Sequence, residues 1–204
     1  MSTEEDEKKL ERVMSYLNGS RDKGIVFKST GEIVVRAYID ASHAVHADAK
    51  GHTGVLITLG LGPVMTKSVK QKILAKSSTE SELVALSDYA DEVNSVREFL
   101  SSVGIKTAPA VIYQDNKSTL ALIRQGELGG KDRKRHFKVR RLMVRELCSE
   151  GCVRVRYIPT TAMMADMLTN PLQGELFTRL RSASMNCHAV KTRHIQGGVS
   201  DDTV

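Results

Sequence analysis

The chain has 204 residues, 41% of them hydrophobic, enough for one sizeable domain with a core, and no apolar run approaches the ~18 residues that a bilayer-spanning helix needs. Thirty Lys and Arg against twenty-four Asp and Glu leave a formal charge of +6, which suits a polyanionic partner and equally an ordinary basic surface. Three cysteines (Cys148, Cys152, Cys187) fit neither a disulfide framework nor a Cys-rich zinc site, and the acidic N-terminus has no secretory-signal pattern, so a soluble, intracellular chain in a reducing compartment is expected.

In chain order, residues 4–18 place Leu10, Val13, Met14 and Leu17 on one helical face behind an acidic first turn, with Asn18-Gly19 as a stop. Ile25-Val26-Phe27 is a short apolar piece before the turn Ser29-Thr30-Gly31. Residues 33–39 are rich in β-branched side chains and read as a strand ending at Asp40. In the polar region that follows, His43, His46 and His52 with Asp48 lack an i, i+4 pair and read as surface residues, not a zinc site. Residues 54–59 and 64–67 are strands joined by the Gly60-Leu61-Gly62-Pro63 turn.

Ser77-Ser78-Thr79 is N-cap material for a helix of about seven turns, with Leu86, Ala90, Val93 and Leu100 on its apolar side. Residues 110–114 form a short strand of buried type ending at Asp115. Asn116 opens a helix through Leu120 and Ile123, and a Gly-rich segment (126–130) leads into a further helix that stops near Gly151. Cys148 and Cys152, four apart, read as inert core cysteines of that helix. Residues 153–158 alternate apolar with basic, as an edge strand does, and Pro159 closes them. Thr160 or Thr161 is expected to cap a helix carrying Asp166, and Pro171 precedes an amphipathic piece with Leu172, Leu176, Phe177 and Leu180. Residues 185–204 show no pattern and are expected to be a disordered tail. The order predicts an α/β fold, a mixed five-stranded sheet with helices on both faces.

Four acids stand out in that order. Asp40 and Asp115 end strands, where ligands collect in such sheets. At roughly 100° per residue Glu82 falls in the middle of its helix's apolar stripe, whereas Glu80 falls nearly opposite and is the capping-box partner of Ser77. An inward carboxylate is costly unless paired, hydrogen-bonded or on a metal. Asp166 is a lone acid among Ala165, Met167 and Leu168. Any one of these alone reads more readily as a cap or surface carboxylate, but a cluster of four would repel itself unless hard divalent cations were bound. Two Mg²⁺ ions about 4 Å apart would suit in-line displacement at a phosphodiester.

On the helix beginning near Arg133, Lys134, Lys138, Arg141 and Arg145 recur at spacings of four, three and four. They are expected to form one cationic stripe opposite Val139, Leu142, Met143 and Leu147, along which phosphates could track. With 4% aromatics and no Trp, recognition by duplex shape and 2′-hydroxyls is expected over base stacking. Asn116 and Ser118 are candidate minor-groove or 2′-hydroxyl contacts, with helix capping as the favoured competing role.

Ile39-Asp40-Ala41-Ser42, the run from Lys76 to Leu86, Ile112-Tyr113-Gln114-Asp115-Asn116-Lys117-Ser118 and the run from Ala165 to Leu172 resemble the ribonuclease H domain of copia-type LTR retrotransposon polyproteins. The segments 67–72 and 135–140 are similar to that family's linker and basic-histidine helix. The resemblance covers roughly residues 8–183. It implies an RNase H-like fold in which Asp40, Glu82, Asp115 and Asp166 hold two Mg²⁺ (or Mn²⁺) ions. The implied reaction, during reverse transcription, is hydrolysis of the RNA strand of an RNA/DNA hybrid to 5′-phosphate and 3′-hydroxyl ends. Residues 1–30 resemble the end of the reverse transcriptase connection, and 31–184 the RNase H-like domain. The implied partners are the hybrid and the reverse transcriptase portion of the same polyprotein, in a cytoplasmic virus-like particle or the nucleus.

Departures from the family pattern are modest. Asp40-Ala41-Ser42-His43 replaces the commoner acid-Ala-acid-aromatic arrangement, and the histidine-bearing loop of cellular ribonucleases H is absent, as in the family. A catalytically silent nucleic-acid-binding or structural module is the alternative, and it is expected to have lost an acid. A retroviral-type integrase expects its glutamate last, and here the glutamate comes second.

Overall fold

The computed structural model describes residues 2–28, 31, 33–125 and 135–186. Helix α1 (Glu4–Ser20) opens on a capping box: Thr3 accepts the Asp6 N–H, and the Asp6 carboxylate accepts the Thr3 N–H at 3.0 Å. The helix runs two residues past the expected stop, and none of its residues is buried. Tyr16 links it to the body, edge-on to Phe177 with ring centroids 6.0 Å apart. The strap behind α1 is pinned by the Val26 N–H donating to Met185 O at 2.9 Å and by a bridge between Lys28 and Leu61. Ser29 and Thr30 of the expected turn lie outside the described residues.

Strands β1 (Arg36–Ser42), β2 (His52–Thr58) and β3 (Pro63–Lys70) form an antiparallel meander, with Gly62 at φ 87° in the turn before β3. β4 (Ala110–Gln114) and β5 (Val153–Tyr157) add in parallel on the other side of β1, giving the order β3-β2-β1-β4-β5. This is the expected mixed five-stranded sheet, with the alternating basic strand at its edge. β1 does not end at Asp40, because antiparallel pairing with β2 carries it on to Ser42 opposite His52. Its parallel pairing with β4 stops earlier, at Tyr38 and Tyr113. Asp40 and Asp115 therefore each stand two residues beyond the last parallel pair, where the two strands part. This is also where the sheet grows in opposite directions, a topological switch point.

One face of the sheet is covered by α2 (Ser78–Ser102), α3 (Lys117–Arg124) and α4 (Arg135–Ser149). Ala85, Leu86, Ala90 and Val93 of α2 pack on Ala37, Ile39, Val55, Ile57, Ile112 and Val155, and α4 adds Val144. On the other face, beyond a 3₁₀ turn (Thr160–Ala162), lie α5 (Asp166–Thr169) and α6 (Gly174–Met185). Contrary to expectation, neither Thr160 nor Thr161 caps α5: its N-cap is Ala165, which makes no side-chain cap bond. Cys148 is half-buried at the end of α4, whereas Cys152 lies past the helix, contrary to expectation; both are free thiols. Cys187 and the rest of 187–204 lie outside the described residues.

Helix α5 rests directly on β2 at Gly54, which faces away from its core-packed neighbour Val55. A Cβ there would come within 2.8 Å of Ala165 O and 2.9 Å of Leu168 Cβ. Gly54→Ala is therefore expected to push α5 off the sheet and destabilise the domain by about 1–3 kcal/mol. A lowered denaturant midpoint at unchanged m-value is the expected reading.

Candidate active site

Three carboxylates converge where β1 and β4 part. Asp40 is 6% exposed, Glu82 is 5% exposed and Asp115 is half-buried, and one oxygen from each lies within 4.8 Å of the others. No other such group of three His, Cys, Asp or Glu occurs among the described residues. Sheet register delivers the two aspartates, and the start of α2 delivers the glutamate. Ser77 fixes that start by accepting the Glu80 N–H at 3.2 Å. Glu80 is half-buried and accepts the Lys76 N–H at 2.7 Å, so it serves the cap one residue earlier than a capping box would. As the helix phase predicts, Glu82 and not Glu80 joins the two aspartates, but Glu80 is half-buried rather than solvent-facing and forms no capping box with Ser77.

Among the described residues none of these acids takes part in an ion pair. Burial pushes the Asp40 carboxyl up to about 6, with the Asp115 and Asp166 charges adding and the Thr169 hydroxyl opposing. Glu82 is raised well above its ordinary value, first by burial and then by Asp40 and Asp115, against hydrogen bonds from Gln114 and the Ala41 N–H. A buried all-oxygen donor set under mutual repulsion fits a hard divalent cation.

Asp166, 7% exposed at the start of α5, is outside the three-oxygen group but near enough to raise Asp40. Thr169 of α5 and Asn170 just past it join the two: Asn170 Nδ2 donates to Asp166 Oδ1 at 2.5 Å and to Thr169 Oγ1 at 3.2 Å, and the Thr169 hydroxyl donates to Asp40.

No family model matches the chain. The retrovirus-related Pol polyproteins from transposons RE1 and RE2 of Arabidopsis thaliana are 32% and 31% identical to it over 184 and 201 residues, 89% and 98% of the chain. That of transposon TNT 1-94 of Nicotiana tabacum is 30% identical over 81% of the chain. Among solved structures, LC11-RNase H1, isolated from compost, matches 68% of this chain and 94% of its own at 15% identity, with a TM-score of 0.50. The chain belongs to the ribonuclease H-like domains of LTR-retrotransposon Pol polyproteins. It spans 12% and 14% of the length of the two Arabidopsis polyproteins.

In this ribonuclease H-like domain the expected cationic stripe does not form. Helix α4 buries Phe137, Arg141 and Val144, and leaves Val139, Leu142 and Met143 at 48%, 43% and 39% exposure. The helix carries two competing apolar stripes, and packing of Phe137 on Leu83 and Val84 selects the one that takes Arg141 into the interior at 4% exposure. Lys138 is exposed, Arg145 is half-buried, and Lys134 lies outside the described residues. The half-buried Arg140, which the stripe omitted, donates to Ser87 Oγ at 2.7 Å and pairs with Asp88.

Asn116 is the N-cap of α3, accepting the Thr119 N–H at 3.0 Å, while Ser118 is exposed. Among the described residues no histidine joins the carboxylate group: His46 Nε2 and His52 Nδ1 lie 3.0 Å apart, and His43 Nδ1 lies 3.2 Å from Ser81 Oγ. Sequence reading missed the neutral side chains that touch the acids. Thr169 and Asn170 stand at i+3 and i+4 from Asp166, and Gln114 is a polar residue in a buried strand, so both carried a signal. Thr160, whose hydroxyl donates to Asp115 Oδ2 at 2.6 Å, carried none.

Proposed function

We propose that this domain is a metal-dependent endonuclease that hydrolyses the RNA strand of RNA/DNA hybrids, with two Mg²⁺ ions as its cofactor and Mn²⁺ as a substitute. The observation that carries the reading is the convergence of Asp40, Glu82 and Asp115 at the parting of β1 and β4. Membership of the Pol polyprotein family supports it. Asp40 and Asp115 would be the principal ligands, with Glu82 and Asp166 completing the set. When bound, the cations would activate the attacking water and stabilise the leaving oxygen. The protein's own part is to fix the carboxylates before substrate arrives: two from the ends of paired strands, one from the capped start of a long helix, one from a turn seated on Gly54. The exposed Lys138 and Ser118 are available to a nucleic-acid backbone.

The reading extends to partners. Leu10, Val13, Met14 and Leu17 of α1 are each more than half exposed, at the spacing of a single helical face. In a chain matching a small fraction of longer polyproteins, the reading assigns that face to the reverse transcriptase portion.

The test is to incubate the purified chain and Mg²⁺ with an end-labelled RNA/DNA hybrid, and separately with double-stranded RNA. Cleavage of RNA in the hybrid alone, abolished by chelator, is expected. Equal cleavage of both duplexes, or none with Mg²⁺ or Mn²⁺, would refute the proposal.

A further inference from the structure

Each of the four acids is met by one neutral side-chain donor. The Thr169 hydroxyl donates to Asp40, Gln114 Nε2 donates to Glu82 Oε2 at 3.2 Å, Thr160 Oγ1 donates to Asp115 Oδ2 at 2.6 Å, and Asn170 Nδ2 donates to Asp166 Oδ1 at 2.5 Å. The donors come from β4, the 3₁₀ turn, and α5 with the residue after it.

The directions of these bonds follow from chemistry. Gln114 is fully buried, and its Oε1 accepts the Asn116 N–H at 2.9 Å. A backbone N–H can only donate, so the amide NH₂ has to face Glu82. Asn170 spends one amide proton on Asp166 and the other on Thr169 Oγ1, and of the two acceptors that face the single Thr169 proton, Asp40 Oδ2 and the Asp166 carbonyl oxygen at 3.1 Å, the charged and nearer carboxylate is the stronger. Each donor is used once on a carboxylate, and Gln114, Thr169 and Asn170 each make a second side-chain hydrogen bond that holds them in place.

Neutrality matters here. A lysine or arginine in these places would orient the acid but also satisfy its charge, and so compete with a cation. A hydroxyl or amide orients one carboxylate oxygen and leaves the negative charge and the other oxygen for a ligand. We propose that Gln114, Thr160, Thr169 and Asn170 are positioning residues that hold the four carboxylates in a metal-ready arrangement through uncharged hydrogen bonds. The inference rests on the metal-dependent reading above and names the groups that set its affinity.

Thr160 gives the cleanest test, because it is exposed in a short turn and its replacement leaves the core intact. Mn²⁺ binding to the intact chain is measured by titration calorimetry, and folding by thermal unfolding. Thr160→Val is expected to weaken Mn²⁺ binding about tenfold, as loss of a group supporting a ligand does, and Thr160→Ser to restore it to within about threefold. Asn170→Ala, which frees Asp166 and Thr169 together, is expected to match or exceed the loss in Thr160→Val. Binding by Thr160→Val as tight as in the unaltered chain overturns the proposal. So does Thr160→Ser binding as weakly as Thr160→Val, which would assign the effect to the methyl group. If the unaltered chain binds no Mn²⁺, both the proposal and the metal-dependent reading fall. If the variants weaken binding but the chain cleaves no hybrid, only the nuclease reading falls.

Discussion

Asp115→Asn is expected to reduce cleavage of an RNA/DNA hybrid by about 10³-fold or more while leaving the protein folded. The magnitude follows from the charge. Metal ions supply several kcal/mol of transition-state stabilisation, and each ~1.4 kcal/mol is a factor of ten in rate. Removing one negative ligand from a group whose oxygens lie within 4.8 Å of one another forfeits about that much. The fold is expected to survive because Asp115 is half-buried and its oxygen accepts from Thr160, a bond that the Asn carbonyl can keep. Glu80→Gln is the matched control: Glu80 accepts the Lys76 N–H as part of the helix cap, and an amide oxygen can do the same, so cleavage at nearly the unaltered rate is expected. A first-order rate on labelled hybrid, with a melting curve for each variant, checks both. If Glu80→Gln lost the rate and Glu82→Gln kept it, the catalytic role of the inward glutamate would have to be abandoned.

Much of this site was legible before any coordinates, because its acids occupy positions where local rules are strong. Asp40 and Asp115 follow β-branched or apolar runs, and helical phase from the Ser77 cap separates Glu82 from Glu80. The failures occur where the answer is set by partners distant in sequence. β1 continues past Asp40 because β2 pairs with it to Ser42, and nothing local in the Ile33–Ile39 run encodes that. The α4 face was misread because Val139, Leu142 and Met143 make as good a stripe as Phe137 and Val144, and only the contact with α2 decides between them. Thr160 looked like a helix cap because its local context is that of one, yet its hydroxyl is used 45 positions away on Asp115. Charge patterning misled for the same reason: a long Arg side chain can lay its stem along a helix–helix contact, so a row of cations at helical spacing does not establish a solvent-facing row.

In the presence of chelator, Asp40→Asn is expected to be more stable than the unaltered chain at neutral pH, and equally stable near pH 4. The Asp40 carboxyl titrates at about 6 in the folded protein against 3.8 as a free side chain. Below 3.8 both states hold the proton, so burial of the neutral acid carries no electrostatic penalty. Between the two values the unfolded chain has released a proton that the folded chain retains, and stability falls as pH rises. Above about 6 both states are ionised and the deficit is constant, at about 3 kcal/mol for a gap of roughly two units. Asn never ionises, so the difference in melting temperature between Asp40→Asn and the unaltered chain should open between pH 4 and 6 and stay open above. Glu82, raised in the same direction, carries the deficit of the unaltered chain further, and Asp40→Asn relieves part of that too because Asp40 is one of its causes.

Addition of Mg²⁺ or Mn²⁺ should close most of that gap. Binding to the folded state alone contributes about 2.7 kcal/mol at a hundredfold excess over Kd, and the contribution grows with pH because the ligands must be deprotonated. The unaltered chain should therefore gain melting temperature with metal above pH 6, while Asp40→Asn gains little. A difference that stayed flat from pH 4 to 8 in chelator, or an equal metal response in both proteins, would mean that Asp40 does not sit in a charge-crowded cation site.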